Sequence, residues 1–164
     1  MIRISWGCTR IVIVIGPYAL KIAKVQIERA LRRIAYFAIL PYEQKQIMLR
    51  KKARGSYRLA LLRVLRLGTL ANRMEYRYYH NRGDTRVMPT YHIFFKGIII
   101  LQEGGDPITR EEFQREHPLP CYADNKKIDL HHPGQFSRSR KTGRVLISDY
   151  GHPGTLKVLS ATCA

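Results

Sequence analysis

The chain has 164 residues, of which 45% are hydrophobic and 25% charged; this suits one domain, with or without a small appendage, and argues against global disorder. It carries 29 Lys and Arg against 12 Asp and Glu, a formal net charge of +17, and residues 1–83 hold 18 of the bases but only 3 of the acids. Such an excess attracts phosphate groups, whether they belong to nucleic acid, anionic lipid or a nucleotide.

Cysteine usage and hydropathy bear on location. Cys8, Cys121 and Cys163 are far apart and odd in number, which argues against a disulfide framework or a zinc site and favours a reducing cytoplasm. The apolar run around residues 11–15 falls well short of the roughly 20 residues that a bilayer span needs. We therefore expect a cytoplasmic protein with no export signal, no membrane span and no membrane among its partners.

The first predicted elements form a β-hairpin. Residues 9–15 are short and β-branched, which is typical of a buried strand, and Gly16-Pro17 signals a turn. Residues 18–23 continue as a strand in which Lys21 is a lone charge among apolar neighbours. Lys21 is either an edge lysine that faces solvent or a lysine aimed into a cleft, where it would meet an anion.

Helical spacing follows the hairpin. Residues 25–40 predict an amphipathic helix with arginines opposite its apolar stripe, and residues 43–54 predict a further basic helical turn or two. Residues 57–80 predict a long helix in which Gly68 is a weak point. Glu75 is an isolated carboxylate in this basic stretch, so it is either a weak surface ion pair or the partner of one particular buried cation.

The second half begins with two candidate strands. Residues 86–91 and 93–102 have strand-like composition, and Lys96-Gly97 is predicted as the hairpin turn. Residues 102–107 then read as a flexible connector, the best domain boundary in the chain. We therefore divide the chain into units 1–103 and 104–164.

The remaining segments are short. Thr109 and Glu112 have the spacing of a helix capping box. Residues 124–140 are polar and irregular, and their basic run at 137–141 predicts a solvated loop. Residues 145–147 predict one more buried strand, which leads into Asp149-Tyr150-Gly151, and the last 13 residues have little pattern.

Taken in order, these features resemble the protein-kinase-like fold. In that family a strand Lys in an Ala-x-Lys context holds nucleotide phosphates and pairs with a Glu on the following helix, and an Asp-Phe-Gly motif binds magnesium. The matching residues are Ala19-Leu20-Lys21, Glu75 and, with Tyr in place of Phe, Asp149-Tyr150-Gly151. The resemblance implies an α+β fold with an antiparallel sheet of about five strands, a long helix packed on it and a strongly reduced second lobe.

The resemblance also implies ATP and Mg²⁺ as ligands. Residues expected to contact the nucleotide are Lys21, Glu75, Gln102, Glu103 and Gly104; Asp149 and Gln135 would bind the metal, and Asp129 would be the catalytic base. A Gly-rich loop is missing, Gln135 stands where the family has Asn, and nothing resembles a substrate platform. We therefore expect a pseudokinase rather than an active ATP-dependent phosphotransferase.

Two other functions stay open. The Arg-rich helices between Arg29 and Arg82 are typical of a non-enzymatic nucleic-acid-binding protein, and the same basic surface suits an acidic protein partner. Asp149-Tyr150-Gly151 is also an ordinary way to end a strand with a turn. The hypotheses differ in geometry, because only the kinase-like one requires Lys21, Glu75 and Asp149 to meet in one cleft.

Overall fold

The computed structural model describes residues 2–51, 64–119, 130 and 132–161, which form an α+β fold with two antiparallel sheets. The first sheet has the strand order β1-β2-β3-β5-β4 and the second has the order β6-β7-β8. The strands are β1 (Ile2–Trp6), β2 (Arg10–Ile15), β3 (Tyr18–Ala23), β4 (Thr90–Phe94), β5 (Ile99–Glu103), β6 (Gly105–Pro107), β7 (Phe136–Ser139) and β8 (Val145–Ile147).

The helices flank these sheets. They are α1 (Ile27–Ile39), α2 (Tyr42–Lys51), α3 (Leu67–Arg82), α4 (Arg110–Glu116) and α5 (Pro153–Ala161). The capping box predicted at Thr109 and Glu112 is confirmed at the start of α4, and α3 ends at Gly83, whose positive φ of 60° gives a left-handed cap. Among the described helices, none combines the length and apolar character that a bilayer crossing requires.

Several sequence predictions change in the structure. The hairpin of β2 and β3 is confirmed, with Gly16 at φ 54° in its turn, but β1 and α5 were not predicted. The strand predicted over 86–91 is misplaced, because pairing with β5 begins only at Thr90. The flexible connector predicted over 102–107 is also wrong: its residues belong to β5 and β6, with Gly104 between the two strands.

One face of the first sheet packs against α3. Register places Val12 opposite Lys21 and Val14 opposite Ala19, so these side chains share the covered face. Gly68 explains how α3 comes so close: a Cβ at this position would lie 2.4 Å from the carbonyl oxygen of Thr9. The glycine that looked like a weak point in the helix is therefore what lets α3 approach the hairpin.

The main hydrophobic core lies in the second half of the chain. It joins the second sheet to α4, α5 and the end of α3, and it includes Tyr150 from the segment after β8. Its buried members are Tyr78, Val87, Phe113, Leu119, Leu130, Phe136, Val145, Ile147, Tyr150 and Leu159. This packing fixes the backbone around Asp149 relative to α3.

Candidate functional site: a buried ion cluster

Lys21, Glu75 and Asp149, which were predicted to meet, belong to one ion cluster. The Nζ atom of Lys21 donates to Oε2 of Glu75 at 2.8 Å, and both side chains are buried. Lys21 also donates to the carbonyl oxygen of Ser148, the residue before Asp149. The alternative interpretation of Lys21 as a solvent-facing edge lysine is therefore wrong.

Arg10 is the member of the cluster that the sequence analysis missed. Its Nη1 atom donates to Oε1 of Glu75 at 2.7 Å and to Oδ1 of Asn72 at 3.2 Å, and its Nη2 atom contacts Oδ1 of Asp149. Arg10 and Lys21 lie on the same face of the hairpin, two residues apart in register. A usable signal was present, since Arg10 is a charged residue in the same apolar hairpin as Lys21.

Glu75 is the centre of the cluster. It is fully buried, and the backbone N–H of Gly151 donates the third hydrogen bond of its carboxylate, to Oε1 at 3.0 Å. A buried carboxylate is tolerated when it is paired and when its remaining lone pairs are satisfied. Arg10, Lys21 and Gly151 meet that requirement together, so Glu75 joins the hairpin, α3 and the segment after β8.

Burial and the neighbouring charges shift the pKa values of the charged groups in the cluster. Burial lowers the pKa of the Lys21 ammonium, and the neighbouring Glu75 carboxylate only partly opposes this. Burial alone would raise the pKa of Asp149, but the positive charges of Arg10 and Lys21 bring it below its ordinary value. Burial alone would lower the pKa of Arg10, yet Glu75 and Asp149 raise it, so Arg10 stays charged.

Asp149 and Tyr150 face different surroundings. The Asp149 side chain remains 48% exposed, whereas Tyr150 is fully buried and its hydroxyl hydrogen-bonds with Thr90 Oγ1 at 2.8 Å. The same hydroxyl donates to the carbonyl oxygen of Met88 at 3.0 Å. Burial raises the pKa of Tyr150. Tyr150 is therefore a neutral core residue, and Asp149 is the side of the cluster that water reaches.

Gln135 lies next to Asp149 through its backbone. Its carbonyl oxygen accepts from the N–H groups of Ser148 at 2.8 Å and Asp149 at 3.1 Å. Asp129, predicted to be the catalytic base, lies outside the described residues. The structure thus brings the backbone of one of the two predicted metal-binding residues beside the other.

Gln102, Glu103 and Gly104, which were predicted to contact the nucleotide, make their described hydrogen bonds to partners outside the ion cluster. Gln102 is buried, and its amide donates to the carbonyl oxygen of Met88 at 3.4 Å. Glu103 accepts from the hydroxyls of Tyr91, at 3.1 Å, and Ser139. The backbone N–H of Gly104 donates to a carbonyl oxygen of the hairpin turn at 2.8 Å. The contact of Glu103 with Ser139 links the two sheets. Together these hydrogen bonds engage the side chains of Gln102 and Glu103 and the N–H group of Gly104.

The solvated basic loop predicted over residues 137–141 is wrong in its first part, which forms β7. Within it, Arg138 pairs with Glu112 at 2.9 Å and with Glu116 at 3.0 Å. Just beyond β7, Arg140 pairs with Asp106 at 2.6 Å. The arginines of this run therefore have internal partners that compete with any external anion.

The described side chains of the cluster do not suit a divalent metal. Two cations, Arg10 and Lys21, balance two carboxylates, and Arg10 already pairs with Asp149. Across the part of the chain that the structure describes, no group of three or more His, Cys, Asp or Glu side chains is arranged to hold a metal ion. Comparison with protein-family models, curated proteins and solved structures finds no match for this chain.

Proposed function

We propose that this chain is a pseudokinase: a kinase-like protein that acts through binding and performs no phosphotransfer. The observation that carries the proposal is the ion pair of Lys21 and Glu75, formed between a strand and a later helix, with Asp149 beside it. A kinase-like site needs these groups together, because the lysine holds phosphates and the glutamate keeps it in place. The antiparallel five-stranded sheet that bears Lys21 supports the same interpretation.

Because of Arg10, we propose that the site performs no phosphotransfer. Magnesium prefers octahedral coordination by oxygen, commonly one or two carboxylates with water and phosphate. Here Asp149 is paired with Arg10, Glu75 is saturated by internal donors, and two positive charges lie where a divalent cation would have to approach. The residues present do not fit Mg²⁺, so the proposal contains no metal-dependent step.

The groups expected to contact the base of a nucleotide are also engaged. The backbone N–H groups of Glu103 and Gly104 donate to carbonyl oxygens of the chain itself, both at 2.8 Å. Val14 and Ala19, which face the same side of the sheet as Lys21, are buried. We therefore propose that the chain's own backbone takes up the hydrogen bonds that an adenine base would need, so any ATP held here would be held through its phosphates and metal at the ion cluster.

A thermal-shift titration with ATP and Mg²⁺ tests this proposal, since a ligand that binds only the folded state must raise its stability. The proteins to compare are the parent, Asp149→Ala, Arg10→Gln and the double variant; Arg32→Gln, at an exposed ion pair, is the matched control. We expect no shift for the parent or for the control. Arg10→Gln should gain a metal-dependent shift, because Asp149 loses its internal partner, and the double variant should lose that shift again.

Two results would count against the proposal. A metal-dependent ATP shift in the parent that disappears in Asp149→Ala would make the chain a nucleotide-binding protein with a working site. An Arg10→Gln variant that folds, as judged by its circular dichroism, but stays unresponsive would remove the support for a kinase-like cleft. Phosphate transfer from labelled ATP to the protein or to a general acceptor should be undetectable in all variants.

A further inference from the structure

An apolar seam on α1 has no protein partner among the described contacts. Ile27, Leu31 and Ile34 follow the i, i+4, i+7 spacing of one helical face and are 59%, 58% and 44% exposed. Ala30, beside this seam, is buried, so α1 rests on the protein along one side only. Isolated apolar side chains on a surface are ordinary, whereas a contiguous exposed apolar face is typical of an interaction site.

The other side of the helix is basic. Arg29 and Arg32 project away from the seam, and Arg32 forms an exposed ion pair with Glu28 at 2.5 Å. Between residues 24 and 51 there are seven Lys and Arg and two Glu, a net charge of +5. The exposed surface of α1 therefore has an apolar side and a basic side.

The next helix extends the pattern. In α2, Tyr42 and Ile47 are exposed, and Lys45 reaches back to donate to the carbonyl oxygen of Ala38 in α1 at 3.1 Å. This hydrogen bond connects the two helices, so their exposed apolar residues belong to neighbouring parts of one segment. None of these residues contributes to the ion cluster, so the segment requires a role of its own.

We propose that α1 and α2 dock on the surface of a bilayer that contains anionic phospholipid, which revises the sequence-based expectation that no membrane is among the partners. The seam enters the boundary between headgroups and acyl chains, and the arginines contact lipid phosphates; this is the behaviour of amphipathic helices with a basic polar face. At 13 residues, α1 is about 20 Å long, too short to cross a hydrocarbon core of about 30 Å, so it lies in the plane of the surface.

Two other occupants fit the segment less well. Duplex nucleic acid would satisfy the arginines but would leave the aliphatic seam without an apolar partner. A second copy of this chain would bring together two surfaces of the same sign, because each chain carries a formal charge of +17. A fluid apolar layer beneath a dense layer of phosphates matches both the seam and the charges.

Vesicle flotation with the full chain tests the proposal. Phosphatidylcholine vesicles are compared with and without phosphatidylglycerol, and the variants are Leu31→Gln with Ile34→Gln, which keep a high helix propensity. The matched control is Ile2→Gln with Ile4→Gln, because these β1 side chains are similarly exposed, at 65% and 56%. A double Arg29→Gln, Arg32→Gln variant measures the charge contribution.

The parent should bind anionic vesicles and should be released by salt, because the attraction is screened. The seam variant should bind at least about tenfold more weakly through the loss of two buried aliphatic side chains, whereas the β1 control should match the parent. Equal binding to neutral vesicles, loss of binding in the β1 control, or no vesicle binding would each overturn the proposal. Salt-sensitive duplex RNA binding that the seam variant retains, without vesicle binding, would assign the segment to nucleic acid instead.

Discussion

Arg10, the first residue of β2, forms an ion pair with Asp149, which lies two residues beyond β8. The contact joins β2 of the first sheet to the segment that follows β8 of the second. The guanidinium of Arg10 also pairs with the carboxylate of Glu75 in α3, at 2.7 Å. An internal arginine therefore supplies the positive charge at this carboxylate. The proposed absence of phosphotransfer follows from the same contact that ties the two halves of the chain together.

Removing Arg10 should destabilise the protein. In Arg10→Ala, Glu75 stays buried with only Lys21 as a charged partner, and Asn72 loses a donor. We expect a loss of roughly 3 kcal/mol in the free energy of unfolding, the scale for breaking a buried ion pair while Lys21 remains. Urea denaturation followed by circular dichroism measures this as a lower midpoint.

The control for Arg10 is an exposed arginine with a carboxylate partner. Arg32→Ala breaks the pair with Glu28, whose two side chains are both largely exposed, and should change the free energy of unfolding by less than about 0.5 kcal/mol. If Arg10→Ala were as mild as Arg32→Ala, the buried cluster would not be a stabilising feature of the fold.

Replacing Tyr150 with Phe, the residue of the usual kinase motif, should lower the stability of the protein. Tyr150→Phe keeps the ring but removes the hydroxyl that bonds with Thr90 Oγ1 and the carbonyl oxygen of Met88, both inside the core. Leaving buried polar groups unpaired costs about 1–3 kcal/mol, so the variant should melt at a lower temperature than the parent. Tyr36→Phe, at an exposed tyrosine, provides the comparison and should be nearly neutral. An unchanged melting temperature in Tyr150→Phe would show that these hydrogen bonds contribute nothing net.

Some of this arrangement follows from local sequence and some does not. Lys21 and Glu75 stand out because each is an isolated charge in an unlike setting, one in an apolar strand and the other in a basic helix. Arg10, like Lys21, is a charge within the apolar hairpin, but only the hairpin register and the packing of α3 show that it meets Glu75, 65 residues further along the chain. Its role depends on contacts over long sequence separations, which periodicity does not encode.

The second sheet illustrates a related limit. β7 has the sequence Phe-Ser-Arg-Ser, which lacks the apolar alternation of a half-buried strand, so the sequence pattern predicts a loop over part of it. It forms a strand because β6 and β8 pair with it on its two sides and because Arg138 finds Glu112 and Glu116. Tertiary context overrides the weak local preference here.

Close packing beside the cluster makes Gly151 sensitive to any side chain. A Cβ on Gly151 would lie 2.6 Å from the carbonyl oxygen of Ala71 in α3, and the N–H of Gly151 bonds to Glu75. Gly151→Ala should therefore push α3 away and cost about 1–3 kcal/mol, which urea denaturation measures. Gly154→Ala is the matched control, since its nearest neighbours are side-chain atoms of His152, at 3.2 Å or more, and alanine favours helix. Equal stability of the two variants would contradict the tight approach of α3.

Asp84 should make the stability of the protein depend on pH in the acid range. Burial alone would raise the pKa of this carboxyl, but hydrogen bonds from Arg86 and Tyr78 lower it from 3.8 to about 2. The unfolded chain therefore binds a proton at Asp84 before the folded chain does. Its stabilising contribution is complete above about pH 4 and is lost as the pH falls from 4 towards 2, and it amounts to about 2 kcal/mol.

The measurement that isolates this contribution is the difference in free energy of unfolding between the parent and Asp84→Asn as a function of pH. The difference should be about 2 kcal/mol at neutral pH and should shrink between pH 4 and pH 2, because the parent then also loses its negative charge. Asp106→Asn is the control, since its side chain is half exposed and its ion pair with Arg140 is screened by solvent. A gap for Asp84→Asn that stays constant down to pH 2 would mean that its cost comes from lost packing or from an amide in the wrong orientation, and that the charge of Asp84 is not what stabilises the turn after α3.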